Sequence, residues 1–218
     1  MNWDQEIKVE QLSPDWLMAR VGSLGASRVH DAVAKTRNGW AASRAKLVAD
    51  LVCERLTGNP SANFVSPAMD WGIEKEAEAK RAYAFIADCD VKSVGMFRHH
   101  RLNWTHASPD GVIAEDGLVE IKCPTTPTHL AYLLGTPVDE KYVKQMQWQM
   151  ACTGASWCDF VSFDPRFPVD FAIKHQRVER DDKAIAELEE QIEEFLSEVD
   201  EKIKQLQSTT GGEINAEG

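Results

Sequence analysis

Ser108-Pro109-Asp110-Gly111 is followed, ten positions after Asp110, by Glu120-Ile121-Lys122. Pro and Gly around an Asp read as a turn. Glu120 and Lys122, two apart on a strand, leave it on the same face. A hairpin turn at Glu115-Asp116-Gly117 returns that strand beside Asp110, so two carboxylates and an ammonium converge. Hard oxygen donors of this kind bind Mg2+, with Mn2+ able to substitute. The Ile121 backbone carbonyl is a third donor, since its side chain points the other way. Such an ion neutralises a scissile phosphate and acidifies a water. Lys122 beside it would orient that water or stabilise the developing oxyanion. The plain alternative is a surface hairpin with an ion pair. Against it, Lys122 sits among Val119, Ile121 and Cys123, where a lysine has little structural reason.

The elements that must position these groups follow from periodicity and punctuation. Ser13 caps, and Pro14 starts, a short helix through Trp16 and Leu17 to Arg20. Ser27 is placed as the cap of a second helix through Val29 and Val33. A third spans about 41–56 and stops at Thr57-Gly58-Asn59-Pro60; a fourth spans about 69–86. The middle switches to strands, predicted at 91–97, 102–106, 112–114 and 118–122, the last halted by Pro124. Helices are expected at about 128–134 and 138–153, and strands at 158–163 and 171–178. The fold class is α/β (α+β), with a mixed β-sheet flanked by helices and a helical N-terminal part. A long C-terminal helix over 182–207 repeats Ile185, Leu188, Ile192, Phe195, Val199, Ile203 and Leu206 at threes and fours. Docking on its own domain is favoured over a short coiled coil. One domain, residues 1–207, is expected, with 208–218 as a disordered tail.

Composition bounds the reading. The 218 residues suffice for one sizeable core, and no apolar run is long enough for a membrane span. The polar N-terminus lacks the blocks of a secretory signal. Five cysteines without a CxxC suggest neither a disulfide framework nor a zinc site, so a reducing cytoplasm is expected. The net charge of −11 is the wrong sign for coating phosphates. It is unevenly spread, however. Residues 179–204 hold eleven acids and four bases, net −7, while residues 1–178 carry −2. A local basic groove is therefore compatible with the total. Arg98, His99, His100 and Arg101 form a basic cluster that lines a nucleic-acid channel or is only a charged strand end. His106, near Asp110, reads as structural. Trp16, Trp71, Trp104 and Trp148 read as core or interface residues.

The Pro-Asp followed by Glu-x-Lys resembles the PD-(D/E)xK nuclease superfamily with its restriction-endonuclease-like core. The fuller string, Ser-Pro-Asp-Gly then Glu-Ile-Lys-Cys-Pro, is similar to the phage lambda exonuclease branch, the YqaJ-type viral recombinases. Trp16-x3-Arg20-x-Gly22 with Ala26-Ser27, Trp71-Gly72-x3-Glu76, Gln145-x-Gln147 and Asp164-Pro165-Arg166 resemble its further motifs, in order, across about residues 11–204.

The resemblance implies roles. Asp110 and Glu120, with the Ile121 carbonyl, would be metal ligands, and Lys122 would act on the attacking water. Glu76 would reach the site from its helix, and Gln145 would hold the water or the DNA. Arg20 and Ser27 would bind a 5′-phosphate, as suits a bidentate fork and a helix N-terminus. Met69 falls where the family has an apolar wedge at the end base pair. The implied activity is metal-dependent 5′ to 3′ degradation of linear double-stranded DNA to nucleoside 5′-monophosphates. It leaves a 3′ overhang for an annealing protein. The family's homotrimeric ring would need positive charge only in its channel. A phage or prophage gene expressed in the bacterial cytoplasm is implied. Rival readings are a RecB-like or endonuclease relative, a catalytically silent DNA-end-binding module, and a scaffold built on the terminal helix.

Overall fold

The computed structural model describes residues 1–61 and 67–213, with the side chains of 67–69 and 210–213 not described. Met69, expected as an apolar wedge, therefore lies outside the described side chains, and residues 214–218 of the tail lie outside the described residues.

Helix α1 (Pro14–Ala19) begins as its punctuation requires, the Ser13 side chain accepting from the Trp16 amide. Helix α2 (Val29–Ala32) is only one turn and follows a 3-10 turn over Ala26–Arg28. Ser27 is thus not a cap: it lies inside that turn, whose N-cap is Gly25. Helix α3 (Ala42–Thr57) ends at Gly58 in the left-handed conformation, φ 67°. Helices α4 (Pro67–Ile86), α5 (Thr126–Leu133) and α6 (Glu140–Thr153) match the expected positions. Helix α7 (Asp182–Glu213) continues past Gln207, where the loss of apolar periodicity suggested its end.

The strands are β1 (Glu6–Ile7), β2 (Leu24–Gly25), β3 (Lys35–Thr36), β4 (Gly39–Trp40), β5 (Val91–Lys92), β6 (Met96–Arg98), β7 (Thr105–Ala107), β8 (Gly111–Ile113), β9 (Gly117–Lys122), β10 (Trp157–Phe163) and β11 (Ile173–Glu179). The site-bearing sheet has the order β11-β10-β9-β8-β5, with β9 and β10 parallel and the other pairs antiparallel. A second sheet, β1-β6-β7-β2, stands beside it, and β3-β4 is a separate hairpin.

The single strand expected over 91–97 is two strands in different sheets. The chain crosses between them at Gly95, where a Cβ would collide with the Ile7 carbonyl of β1. β1, β2, β3 and β4 are two-residue strands, too short for a periodic signal.

Alternation along β9 splits its side chains between two cores. Leu118 joins a core with Met146, Trp148, Ile192 and Phe195 of α6 and α7. Val119 and Ile121 join Ala79 and Tyr83 of α4. Helix α7 docks on its own domain: Ile185, Leu188, Ile192, Phe195 and Val199 are buried. Among the described residues no helix is long and apolar enough to cross a membrane. Trp16 and Trp148 are buried, whereas Trp104 is half exposed under Arg55.

Candidate active site

The predicted triad assembles at the end of β9. Asp110, just before β8, accepts from the Ile121 amide through Oδ2 at 2.6 Å. Its carboxyl therefore lies against the backbone between Glu120 and Lys122. Glu120 is 1% exposed and fully engaged. Its Oε1 accepts from Gln145 Nε2 at 2.7 Å and pairs with the Lys122 ammonium, and its Oε2 accepts from Gln149 Nε2 at 2.6 Å. The Lys122 ammonium also lies 5.1 Å from the centre of the Tyr142 ring. The Ile121 side chain is buried on the opposite face, against the α4 side of the sheet.

Electrostatics bind these groups further. Burial, with Glu120 and Glu76 adding like charge, pushes the Asp110 carboxyl well above the ordinary carboxylate range. For Lys122, burial pulls downward but is outweighed by the Glu120 and Asp110 carboxylates, and the ammonium is held more firmly than usual. Glu76 on α4 belongs to this field and pairs with Lys80 at 3.6 Å. Glu76, Lys80 and Asp110 line a cleft of about 520 Å3 whose far wall is the N-terminal strap, including Glu6, Glu10 and Gln11. Gln11 fixes that wall by donating to the Pro109 and Val94 carbonyls at 2.9 and 3.1 Å.

The donor set suits a divalent cation in its chemistry. Asp110 and Glu120 are hard oxygen donors, and the burial and like-charge repulsion that raise the Asp110 pKa are what a cation would relieve. Among the described residues no three carboxylate, imidazole or thiol side chains stand together as a chelating group. A backbone carbonyl such as that of Ile121 would be needed to complete the coordination of such an ion.

Arg20 and Ser27 lie apart from the triad. Arg20 sits at the end of α1 with its guanidinium 3.9 Å from the Trp16 ring centre. Trp16 Nε1 donates to Ser108 Oγ at 3.1 Å, two residues before Asp110, which ties the arginine's support to the turn that carries Asp110. Arg20 lines a pocket with Arg28, Ser23, Asp50 and Glu54. Ser27 is exposed beside this pocket and does not line it; Arg28 is the neighbour that does.

Two residues near the site were not singled out by motif. Gln149 lies one helical turn after Gln145, and i,i+4 spacing on a buried helix face is the signal that finds it. His106 is buried between Arg20 and Ser23. Gln147 serves the fold, donating to the Glu179 carbonyl at 2.8 Å and accepting from the Asp181 amide at 2.9 Å. The late Asp164-Pro165-Arg166 motif is a brace. Arg166 bonds Asp164 at 2.6 and 2.9 Å, stacks on Trp71 of α4 at 4.7 Å and reaches the Pro124 carbonyl after β9. In the basic cluster Arg98 and His100 are exposed, while the other two members are engaged by α7 and α6. His99 is buried, bonds Glu189 at 3.0 Å and stacks on Trp148, and Arg101 pairs with Glu189 at 2.8 Å.

A YqaJ-like viral recombinase domain model matches residues 15–156. The chain is 42% identical to the alkaline exonuclease LHK-Exo from Laribacter hongkongensis. The match covers 92% of this chain and 99% of that one, with a TM-score of 0.84. The same enzyme in complex with dAMP matches at 42% identity over the same shares, with a TM-score of 0.85. A phage related exonuclease from Haemophilus somnus 129PT, 15% identical over 84% of this chain and 96% of that one, has a TM-score of 0.65, a likeness of fold alone. A search of curated protein sequences returns no match. With the family model spanning most of its residues, the chain belongs to the YqaJ-like viral recombinase family.

Proposed function

We propose that the chain is a metal-dependent exonuclease acting on linear double-stranded DNA in the 5′ to 3′ direction. It releases nucleoside 5′-monophosphates and leaves a 3′ single-stranded overhang for recombination by strand annealing. The observation that carries this reading is the convergence of Asp110, Glu120 and Lys122, with Gln145, beside one cleft. The likeness to an alkaline exonuclease also solved with dAMP supports it.

Asp110, Glu120 and the Ile121 carbonyl would hold Mg2+, with Mn2+ able to substitute. The ion supplies charge neutralisation of the scissile phosphate and acidification of the attacking water. Lys122 is kept protonated by its carboxylate neighbours, so it donates to the water or to the developing oxyanion and does not act as the base. Gln145 fixes Glu120 and offers its amide to the reacting phosphate region. Glu76, across the cleft, orients water or a second ion. Arg20, with Ser27 and Arg28 nearby, takes the 5′-phosphate of the DNA end. A homotrimeric ring and a single-strand annealing partner complete the proposal, as does a phage or prophage origin with action in the bacterial cytoplasm.

The test is digestion of linear and circular duplex DNA carrying a 5′-phosphate or a 5′-hydroxyl, with Mg2+ or with EDTA. The expected result is metal-dependent mononucleotide release from linear DNA only, faster with the 5′-phosphate. Lys122→Ala is expected to lose at least ~10²-fold, the scale of a lost transition-state contact. Lys122→Ala cutting as fast as wild type would refute the site. End binding without cutting would favour a silent end-binding module.

A further inference from the structure

Arginine has no acceptor, so the contact of Arg20 Nε with His106 Nε2 at 3.2 Å requires a lone pair on that imidazole nitrogen. The proton of a neutral ring then sits on Nδ1, which faces Ser23 Oγ at 2.8 Å. The serine hydroxyl accepts it, and both ring nitrogens are satisfied in one tautomer. Burial, reinforced by Arg20 and Arg98, pulls the His106 pKa down to about 3, which keeps the ring neutral. The backbone is shaped around this pair, since a Cβ on Gly25 would lie 3.1 Å from His106 Nε2 and 3.5 Å from Arg20 Nη2.

The consequence falls on the guanidinium. Its Nε is anchored by His106 and its face by Trp16 at 3.9 Å. Among the described residues its two terminal amino groups make no ion pair within 4.0 Å, and they line a pocket with Arg28 and Ser23, and with Glu54 and Asp50, the latter paired with Arg28. A guanidinium fixed at one edge and one face presents its remaining edge as a preformed fork for an oxyanion.

We infer that His106 is a positioning residue: as a neutral acceptor it aims the Arg20 fork at the terminal phosphate of the DNA and so sets the preference for phosphorylated ends. This rests on the reading of Arg20 as the 5′-phosphate receptor.

The test measures binding of short duplexes bearing a 5′-phosphate or a 5′-hydroxyl, by fluorescence anisotropy in EDTA, and the corresponding cutting rates in Mg2+. His106→Met fills the space without an imidazole acceptor, and His106→Gln supplies one amide oxygen and one N–H for the two partners. The phosphate-to-hydroxyl ratio is expected to fall about ten-fold in His106→Met, the scale of a lost charge-assisted contact, with partial recovery in His106→Gln. Arg20→Ala should lose the ratio, and adding His106→Met to it should cost nothing more in the ratio. If His106→Met lowers both substrates in parallel and leaves the ratio intact, the residue is merely structural and the inference is overturned. A wild-type protein with no preference for the phosphate overturns the Arg20 reading and this inference together. Should the methionine variant fail to fold, Ser23→Ala decides. It removes the group that fixes the tautomer and is expected to lower the ratio about three-fold. An unchanged ratio there overturns the inference.

Discussion

Replacing Gln149 by methionine isolates the geometry of the Glu120 carboxylate. Gln149 is fully buried, and its amide donates 2.6 Å to Glu120 Oε2, the oxygen that neither Lys122 nor Gln145 holds. Methionine is close to isosteric, so little cavity or overpacking cost arises. The weak contact of Cys158 Sγ with Gln149 Oε1, at 3.9 Å, contributes little. What remains is a buried carboxylate oxygen without its donor, at roughly 2–3 kcal/mol. For a chain of this size that corresponds to a fall in Tm of roughly 5–10 °C in EDTA. The freed carboxylate rotates about the Lys122 and Gln145 contacts, so an orienting hydrogen bond to a ligand is lost. Such losses cost about 10–100-fold in activity or metal affinity. Thermal denaturation with and without Mg2+, mononucleotide release and Mn2+ titration calorimetry would measure the three effects. Gln147→Met is the control: it breaks bonds to the Glu179 carbonyl and the Asp181 amide, so stability falls by about 1 kcal/mol while cutting is unchanged. A Gln149→Met protein that melts within about 1 °C of wild type and cuts at the same rate would refute the clamp.

Asp110→Asn should abolish cutting yet melt no lower than wild type in EDTA at neutral pH. The folded Asp110 pKa is raised, chiefly by burial and then by Glu120 and Glu76, so its ionisation destabilises the metal-free protein as pH rises above the unfolded value. A lower Tm for the variant would contradict this. Arg166→Ala should lose stability at neutral pH, with a deficit that shrinks as pH falls. Asp164 is buried, and although burial opposes it, the Arg166 bonds hold its pKa below the ordinary value. That stabilisation is present above the unfolded pKa and vanishes as the folded group is protonated. A pH-independent deficit in acid denaturation would contradict the brace. Glu198→Ala should destabilise by roughly 1–3 kcal/mol, read by urea denaturation, because it strands the buried Arg44 guanidinium, whose Nη2 pairs with Glu198 at 2.9 Å.

The triad was legible because its chemistry lives on one hairpin, where turn residues and the two-residue period of a strand determine proximity. Asp110 lies against the Ile121 amide for that reason alone. Helices with punctuation, such as α1 with Ser13 and Pro14, were legible for the same local reason. What could not be read depends on contacts distant in sequence. β1 and β2 exist only because β6 and β7 offer edges. The split of 91–97 between two sheets is decided by the backbone of Ile7 pressing on Gly95. Ser27 carries every local mark of a cap, yet the chain enters a 3-10 turn one residue earlier. His106 carried no motif at all, and its role rests on groups 83 and 86 positions away.

The same dependence on distant contacts resolves the acidic balance of the chain. Helix α7 carries much of the negative charge, and several of its acids pair with side chains of the body. Glu189 meets His99 and Arg101, Glu193 meets Arg101, Glu198 meets Arg44, and Asp200 meets Arg55 at 2.5 Å. These acids compensate cations of the body and fasten the helix. Removing α7 would therefore leave Arg44, Arg55 and Arg101 without these partners. Arg20 and Arg28, which α7 does not reach, share one pocket with Asp50 and Glu54 beside α3, where Arg28 pairs with Asp31 at 3.2 Å and with Asp50 at 3.7 Å. Net charge thus says little about partners here, because part of the acidic charge it sums compensates cations of the same domain.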